Sequence, residues 1–115
     1  MEYKQVQELT RVGYELLIYR NGDKEWYKDG VYHREDGPAV EYADGNKYWY
    51  KDGKRHREDG PAIERKNGDK VWYLNGNEVP EEEFNKVLTC PLSELPLYLN
   101  TVFEPIVRRR LEQNV

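Results

Sequence analysis

The chain has 115 residues, 37% of them hydrophobic, 35% charged and 13% aromatic, and its 22 acidic against 18 basic side chains give a formal net charge of -4. This length favours a single domain, and the acidic balance argues against sequence-independent binding to nucleic acid or to an anionic membrane surface. The sequence has no apolar run near the roughly 18 residues of a membrane-spanning helix, no signal-peptide layout at its start, and only Cys90 as a cysteine. We therefore expect a cytoplasmic protein without an intramolecular disulfide.

The N-terminal segment carries apolar or aromatic side chains at intervals of three. These residues are Tyr3, Val6, Leu9 and Val12. Their spacing predicts one short helix beside the rest of the fold. The chain as a whole divides into three predicted parts: the N-terminal segment 1–14, a repeat region 15–79 and a helical C-terminal cap 80–115.

A regular repeat dominates the middle of the chain. Trp26, Trp49 and Trp72 are evenly spaced, and the heptapeptide His-Arg-Glu-Asp-Gly-Pro-Ala occurs at 33–39 and again, unchanged and at the same interval, at 56–62. We call this interval the repeat period. A fixed period of this length indicates an array in which each unit is completed by its neighbours.

Each unit contains two turn signals between strand-like runs. The first set is Asn21-Gly22, Asp44-Gly45 and Asn67-Gly68, and the second is Asp29-Gly30, Asp52-Gly53 and Asn75-Gly76. Such pairs favour two-residue hairpin loops, because both central positions need a positive φ. The pattern predicts a mainly β fold, an antiparallel meander of hairpin repeats with a short helical cap at its C-terminal end.

Two-residue loops also fix which residues face one another across each hairpin. The first set of turns would place Leu17 opposite Trp26, Val40 opposite Trp49, Ile63 opposite Trp72 and Ala39 opposite Tyr50. The second set would place Trp26 opposite His33 and Trp49 opposite His56. This register predicts one sheet face of tryptophans beside aliphatic residues and another face of tyrosines.

The residues of the repeat resemble a known family. The stretch 48–56, Tyr-Trp-Tyr-Lys-Asp-Gly-Lys-Arg-His, and the restart at 69–72 are similar to MORN repeats, which have the same period. The heptapeptide variant resembles the MORN-like repeats of bacterial antitoxin or immunity proteins and of proteins from phages and other large DNA viruses. The resemblance covers 15–79 and implies a hairpin array that neutralises another protein. Since Arg34 and Arg57 replace the MORN glycine after the histidine, we do not carry over the lipid binding proposed for eukaryotic MORN arrays.

The composition changes after residue 79, where glycine disappears. Pro80 followed by the carboxylates 81–83 predicts the start of a helix, which the sequence 89–91, Thr-Cys-Pro, would end. Thr101 and Glu104 have the spacing of a capping box for a final helix. We expect these helices to cover the last hairpin, or alternatively to dock a partner or a second copy of the chain.

Catalysis and metal binding are not expected. His33 and His56 lie one repeat apart, near ~10 Å in such a sheet, and so cannot share a zinc ion. Their motif also occurs twice without visible difference, which favours a structural role through arginine–carboxylate pairs between repeats. Cys90 lacks the basic or helix-start setting that activates a thiol. We predict no enzyme activity, no cofactor and no metal.

The tyrosine face is the predicted binding site for a protein partner. Tyrosine offers a large contact area at a low entropy cost, and aromatic centres with charged rims are typical of binding hot spots. We expect an inhibitor or neutraliser of a toxin or host-defence protein, with no nucleic-acid or membrane partner. One alternative is that the same tyrosines pack against the C-terminal helices and bind nothing. Another is an assembly protein of a phage or virus that self-associates through those helices. The predicted site has a centre of Tyr27, Tyr48, Tyr50 and Tyr73 and a rim of Glu25, Glu41 and Glu64.

Overall fold

The computed structural model describes residues 3–8, by their backbone only, and 13–113. It shows an antiparallel β-sheet of several strands followed by three C-terminal helices, with 31% strand and 25% helix. The fold is therefore mixed rather than mainly β. The strands are β1 (Tyr3–Glu8), β2 (Tyr14–Tyr19), β3 (Lys24–Lys28), β4 (Val31–Tyr32), β5 (Val40–Glu41), β6 (Lys47–Tyr48), β7 (Tyr50–Lys51), β8 (Lys54–Arg55), β9 (Ile63–Glu64), β10 (Lys70–Leu74) and β11 (Asn77–Val79). The helices are α1 (Glu81–Thr89), a 3₁₀ helix (Leu92–Tyr98) and α2 (Glu104–Glu112).

Neighbouring strands of the main sheet follow the chain order closely. Their order is β1-β2-β3-β5-β6-β9-β10-β11, β4 pairs with β3, and β7 forms a separate pair with β8. All the pairings are antiparallel. The molecule is long and flat, with extents of 49 × 35 × 20 Å. Such a sheet presents two broad faces, and these faces hold the candidate site and the cap.

The helix predicted for the N-terminal segment is wrong. Tyr3–Glu8 form β1, which pairs with β2 and places Val6 beside Leu17. A spacing of three fits a helix, but the edge of β2 offers backbone donors and acceptors that a strand can satisfy. The predicted positions Leu9 and Val12 lie outside the described residues.

The first turn of each unit has a three-residue loop, not the predicted two-residue loop. In the second unit the Tyr42 amide donates to the Asn46 carbonyl and the Gly45 amide donates to the Tyr42 carbonyl, both at 2.9 Å. Of the loop residues only Gly45 has a positive φ, of 106°. This is the geometry of a type I turn followed by a bulge glycine. The loops after Tyr19 and Arg65 repeat both hydrogen bonds.

The longer loop moves the register of each hairpin by one residue. Trp26 pairs with Leu16 and not with the predicted Leu17. Val40 pairs with Tyr48 instead of Trp49, and Ile63 pairs with Val71 instead of Trp72. A shift of one residue exchanges the two faces of a strand. Leu17, Val40 and Ile63 therefore lie on the tyrosine side, where Val40 and Ile63 are 2% and 1% exposed and form its floor.

The second turn of each unit is the predicted two-residue loop. Asp52 and Gly53 both have positive φ, of 50° and 81°, as a type I′ turn requires. The turns at 29–30 and 75–76 have matching angles. His56 consequently donates its backbone amide to the Trp49 carbonyl at 3.1 Å. The predicted pairing of Trp49 with His56 is thus confirmed. The equivalent bond from the His33 amide to the Trp26 carbonyl confirms the pairing in the unit before it.

Side-chain acceptors connect the repeats at both ends of the hairpins. At the loop end, Asp23 accepts the Ala43 amide and Asn46 accepts the Lys66 amide, each at 2.7 Å. The two donors stand one repeat period apart, as do the two acceptors, so the bond recurs with the repeat. Each repeat thereby positions the loop of the next.

At the opposite end the histidines make the connection. The Nδ1 atom of His33 accepts the Asp52 amide at 2.9 Å, and Nδ1 of His56 accepts the Asn75 amide at 2.8 Å. Both imidazoles are buried. The histidine of one unit therefore satisfies a turn amide in the following unit.

The arginine of the heptapeptide holds its own loop. Arg57 lies 4.0 Å from the centre of the Trp49 ring and donates to Asp59 at 2.9 Å and to the Pro61 carbonyl at 3.1 Å. Gly60 leaves room for it, since a Cβ there would stand 2.9 Å from the guanidinium carbon. The first copy repeats these contacts with Trp26, Arg34, Asp36, Gly37 and Pro38. The arginine–carboxylate pairs that we predicted between repeats therefore lie within each repeat.

The array ends at Pro80, which stands one repeat period after Arg57. The Arg57 amide donates to the Tyr73 carbonyl at 3.2 Å and so joins two units, whereas a proline has no amide hydrogen to offer. The helices pack instead against the final hairpin, on the side of Trp72. The buried cluster there comprises Leu74, Val79, Phe84, Val87, Phe103 and Ile106, and a second comprises Cys90, Leu95 and Val107.

The start of α2 differs from the predicted capping box. Phe103 occupies the cap position, and Glu104 is the first residue of the helix. The Thr101 hydroxyl accepts the Phe103 amide at 3.1 Å instead of an amide one turn into the helix. Pro80, by contrast, directly precedes α1, as predicted.

Candidate protein-binding site

The structure places the four predicted tyrosines on one face of the sheet. Tyr48 and Tyr50 alternate along one extended segment, and Tyr27 and Tyr73 occupy the position of Tyr50 in the flanking units. All four side chains are half-buried. They lie over the floor of aliphatic residues described above. We call this surface the tyrosine face.

Tyr32 joins these residues and was missed by the sequence analysis. Its ring lies 5.0 Å from the ring of Tyr27 and 5.0 Å from that of Tyr50, with tilts of 31° and 44°. It therefore bridges two successive units. An alignment of the repeats could have pointed to Tyr32, because this residue occupies the position that Arg55 takes in the following unit.

Glu25 lies within the tyrosine face and not at its rim. Its carboxylate accepts hydrogen bonds from the hydroxyls of Tyr19 at 2.5 Å, Tyr27 at 2.9 Å and Tyr32 at 3.1 Å. Among the described residues no lysine or arginine forms an ion pair with Glu25. The negative charge is thus held by phenol groups alone.

These contacts shift the acidity of the phenols. The hydrogen bond to Glu25 is the main cause that raises the pKa of Tyr19 to about 12, with burial second. Burial is the main cause that raises the pKa of Tyr27, and the hydrogen bond to Glu25 follows. Burial also raises the pKa values of Tyr32 and Tyr42. The four hydroxyls therefore remain protonated and able to donate at neutral pH.

Glu41 and Glu64, predicted for the rim, lie on the opposite face. Both pair with Lys47 across the sheet, one position away from the tyrosine side. The Glu41 carboxylate lies 3.7 Å from the Arg34 guanidinium, and the Glu64 carboxylate lies 3.4 Å from the Arg57 guanidinium. The shift of register by one residue explains this correction, because it exchanges the faces of β5 and β9.

A small pocket opens at the middle of the tyrosine face. Its volume is about 180 Å³. Among the described residues, Arg55 is the only charged one that lines it. Its guanidinium lies 5.4 Å from the ring centre of Tyr73 and reaches the hydroxyls of Tyr50 and Tyr73 at 3.4 Å each. The remaining walls are Tyr32, Val40, Tyr42, Tyr48 and Tyr50.

The C-terminal helices do not cover this face. Their apolar cluster includes Leu74 and has Trp72 packed at its edge, and Tyr73 between these two residues points to the other side of β10. In the described part of the chain, none of the four predicted tyrosines belongs to the apolar cluster. Packing beneath the helices therefore does not account for them.

A larger cleft, of about 420 Å³, lies on the tryptophan side between the repeats and α2. Its charged walls already neutralise one another. Arg57 pairs with Asp59 at 2.9 Å and Arg109 approaches the same carboxylate at 3.6 Å, while Glu58 accepts a hydrogen bond from His56 at 2.7 Å. The cleft therefore offers no clear preference for a charged ligand.

No metal or thiol chemistry is assembled in the described ranges. Residues 13–113 contain no group of three or more His, Cys, Asp or Glu side chains that could hold a metal ion. Cys90 is buried, and its Sγ lies 3.4 Å from the Arg110 guanidinium and 3.6 Å from the Val87 carbonyl. Arg110 is thus a basic neighbour, contrary to the predicted absence of a basic setting, because α2 folds back onto the end of α1. The thiol is nevertheless buried within its own helices.

Comparison with protein-family models, with curated proteins and with solved structures finds no match to this chain. No helix in the described part of the chain is long and apolar enough to cross a membrane.

Proposed function

We propose that this chain is a MORN-like repeat protein that binds a protein partner through its tyrosine face, without catalysing a reaction. We further propose that the partner is a toxin or a host-defence protein, which the chain inhibits by direct contact. The resemblance of the heptapeptide repeats to those of antitoxin and viral repeat proteins supports this choice of partner. The geometry of the sheet supports the more general part, the existence of a binding face.

One observation carries the proposal: the helices pack on the tryptophan side, and no helix of the described residues lies over the phenol side. The flat sheet has two aromatic faces, and the helices cover only one of them. The other face is therefore available to a second molecule. The units are fixed to one another by side-chain bonds at both ends, so the face is rigid before binding. A rigid aromatic surface loses little conformational entropy when a partner docks.

Tyr50→Ala tests the proposal, because Tyr50 lies at the centre of the face and contacts Tyr32. We expect loss of partner capture from an extract of the native host, at a melting temperature within a few degrees of the wild type. Lys47→Ala is the matched control, since Lys47 is exposed on the opposite face; it should retain the partner. Capture that survives Tyr50→Ala would reject the tyrosine face as the interface.

Inhibition needs its own measurement. The captured partner, once identified, should lose its activity in proportion to added wild-type chain and not to added Tyr50→Ala. A partner that binds but keeps full activity would contradict an inhibitor and leave a binding protein of another kind.

A second candidate function, self-association through the C-terminal helices, is favoured by exposed apolar side chains there. Leu97 is 73% exposed. An apolar patch of this kind is typical of a contact surface. Leu97→Glu should convert any dimer into a monomer in size-exclusion chromatography with light scattering, and a wild type that is monomeric at every concentration excludes this candidate. The other exposed members are Leu92, Leu99, Val102 and Leu111.

A further inference from the structure

Arg55 differs from Arg34 and Arg57 in having no carboxylate partner among the described residues. Arg34 and Arg57 pair with Asp36 and Asp59 at 2.9 Å each. Among the described residues no aspartate or glutamate forms an ion pair with Arg55. A guanidinium held in place without a counter-charge is a ready site for an anion.

The bonds that hold Arg55 leave much of its capacity unused. Its two contacts to the hydroxyls of Tyr50 and Tyr73 measure 3.4 Å, longer than the usual range of roughly 2.7–3.2 Å. A guanidinium has five N–H donors, and a carboxylate accepts two of them in parallel. The guanidinium also lies 5.4 Å from the centre of the Tyr73 ring, within the range of a cation–π contact.

The hydroxyls around the pocket favour an anion as well. The Tyr50 and Tyr73 oxygens accept from Arg55, and neither phenol donates its own proton to another described residue. Tyr42 and Tyr48, on the far wall, have no described hydrogen-bond acceptor either. The pocket therefore presents one fixed cation and several phenol donors around an apolar floor at Val40.

Glu25 does not cancel this preference. It lies one unit away, does not line the pocket, and already accepts three phenol protons. Tyr32 donates to Glu25, and its ring stands between Tyr27 of the first unit and Tyr50 of the second. The tyrosine face therefore has a negative first unit and a positive second unit.

We propose that the pocket receives an acidic side chain, aspartate or glutamate, from the protein partner. This proposal rests on the proposed function and adds the chemistry of the contact. The carboxylate enters between Tyr42 and Tyr50 and accepts two N–H groups from Arg55. A volume of about 180 Å³ is sufficient for one such side chain.

The test titrates the isotope-labelled protein with three capped pentapeptides that differ only at the central residue of a glycine background, which is glutamate, glutamine or arginine. The readout is the NMR signal of the Arg55 Nε–H group together with the backbone amides of Tyr50 and Tyr73. We expect saturable shifts with the glutamate peptide and at least about tenfold weaker binding of the glutamine peptide.

Two variants give the matched control. Arg55→Gln should abolish the shifts of the Tyr50 and Tyr73 amides. Arg65→Gln removes the same charge from an exposed position at the loop end of the same face, and it should leave the affinity within about twofold. An equal loss in both variants would mean general attraction between charges and would overturn a specific pocket.

Two further probes separate the sources of an anion. Inorganic phosphate and a tripeptide with a free C-terminal carboxylate are titrated in the same way. Tighter binding of either than of the glutamate peptide overturns the assignment to an acidic side chain, as does preference for the arginine peptide or no shift with the glutamate peptide up to its solubility limit.

The outcome is distinguishable from failure of the proposed function. If Tyr50→Ala abolishes partner capture but the glutamate peptide does not bind, the tyrosine face stands and the carboxylate pocket falls. If the peptide binds at Arg55 while partner capture survives Tyr50→Ala, the pocket binds carboxylates, but the tyrosine face is not the interface and the assignment to a partner's side chain falls.

Discussion

The repeat region and the C-terminal cap are held together in different ways. Beneath the helices the chain builds a conventional apolar core, with side chains such as Phe84 and Ile106 fully buried. Away from the final hairpin, the repeats bury only small or β-branched aliphatic side chains, which are Ala39, Val40, Ala62 and Ile63. They rely on periodic contacts instead: a carboxylate or amide at one end, a histidine at the other, and an arginine stacked on each of two tryptophans.

This difference shows how a sheet only one layer thick can be ordered. A thin array cannot remove much apolar surface from water, so specific hydrogen bonds between units fix its geometry. The cap supplies the apolar burial that the array lacks. We therefore expect substitutions in the cap to cost the most stability, and substitutions in the connecting bonds to cost less and to depend on the unit.

The largest effect should come from Phe84→Ala. Phe84 is completely buried between the final hairpin and α2, and removal of such a ring costs about 3–5 kcal/mol. Val40→Ala, at the buried floor of the tyrosine face, should cost about 1–2 kcal/mol, the value of two methyl groups. Urea unfolding followed by tryptophan fluorescence measures both. Equal losses would show that the array contributes as much apolar stabilisation as the cap.

The next effect compares the two histidines. His33→Ala and His56→Ala each leave a turn amide in the following unit without its acceptor, which costs about 1–3 kcal/mol. The loss should be about 1 kcal/mol larger for His56, because its Nε2 also donates to Glu58, whereas Nε2 of His33 is buried and has no hydrogen-bond partner among the described residues. Paired urea unfolding curves test this difference. A larger loss for His33 would contradict the structural distinction between two copies of identical sequence.

The sequence predicts the period, the second turns and the separation of indoles from phenols, because each depends on local residues. Asp52-Gly53 requires only a positive φ at both positions, and the chain supplies it there. The first turns were harder. Asp44-Gly45 fits a two-residue loop and also a type I turn with a bulge glycine, and the bond from Asp23 of the preceding unit to the Ala43 amide stabilises the longer form.

That single shift of register accounts for most of the errors at the candidate site. It moved Glu41 and Glu64 to the tryptophan side and Val40 to the floor of the tyrosine face, while Tyr27 and Tyr50 stayed where they were predicted. The role of Glu25 could not be predicted, because it depends on phenols from three strands that meet only in the folded sheet.

The two copies of the heptapeptide should also differ in how their contribution to stability changes at low pH. The hydrogen bond from His56 is the main cause that lowers the pKa of Glu58, so the folded state favours the ionised carboxylate. This stabilisation is complete above the usual pKa of glutamate and is lost as the pH falls through the lowered value. Glu58→Gln should cost about 1–2 kcal/mol near neutral pH, and the cost should vanish in acid. Glu35→Gln, at the equivalent position 3.8 Å from His33, is the control in the same series of urea titrations and should cost less.

High pH should act on the tyrosine face, where stability is lost as the pH rises. The raised pKa of Tyr19, about 12, means that the folded state favours the neutral phenol, so its contribution is complete below the usual value of about 10 and is lost as the pH rises toward 12. Glu25→Gln removes the charge that causes the shift, and the midpoint of phenolate formation, followed by ultraviolet absorbance, should move back toward 10. Glu41→Gln removes an equal charge from the tryptophan side and should leave the midpoint unchanged. A shift of the same size in both variants would mean that the phenols respond to the net charge of the protein, and the carboxylate at the centre of the tyrosine face would lose its assigned role.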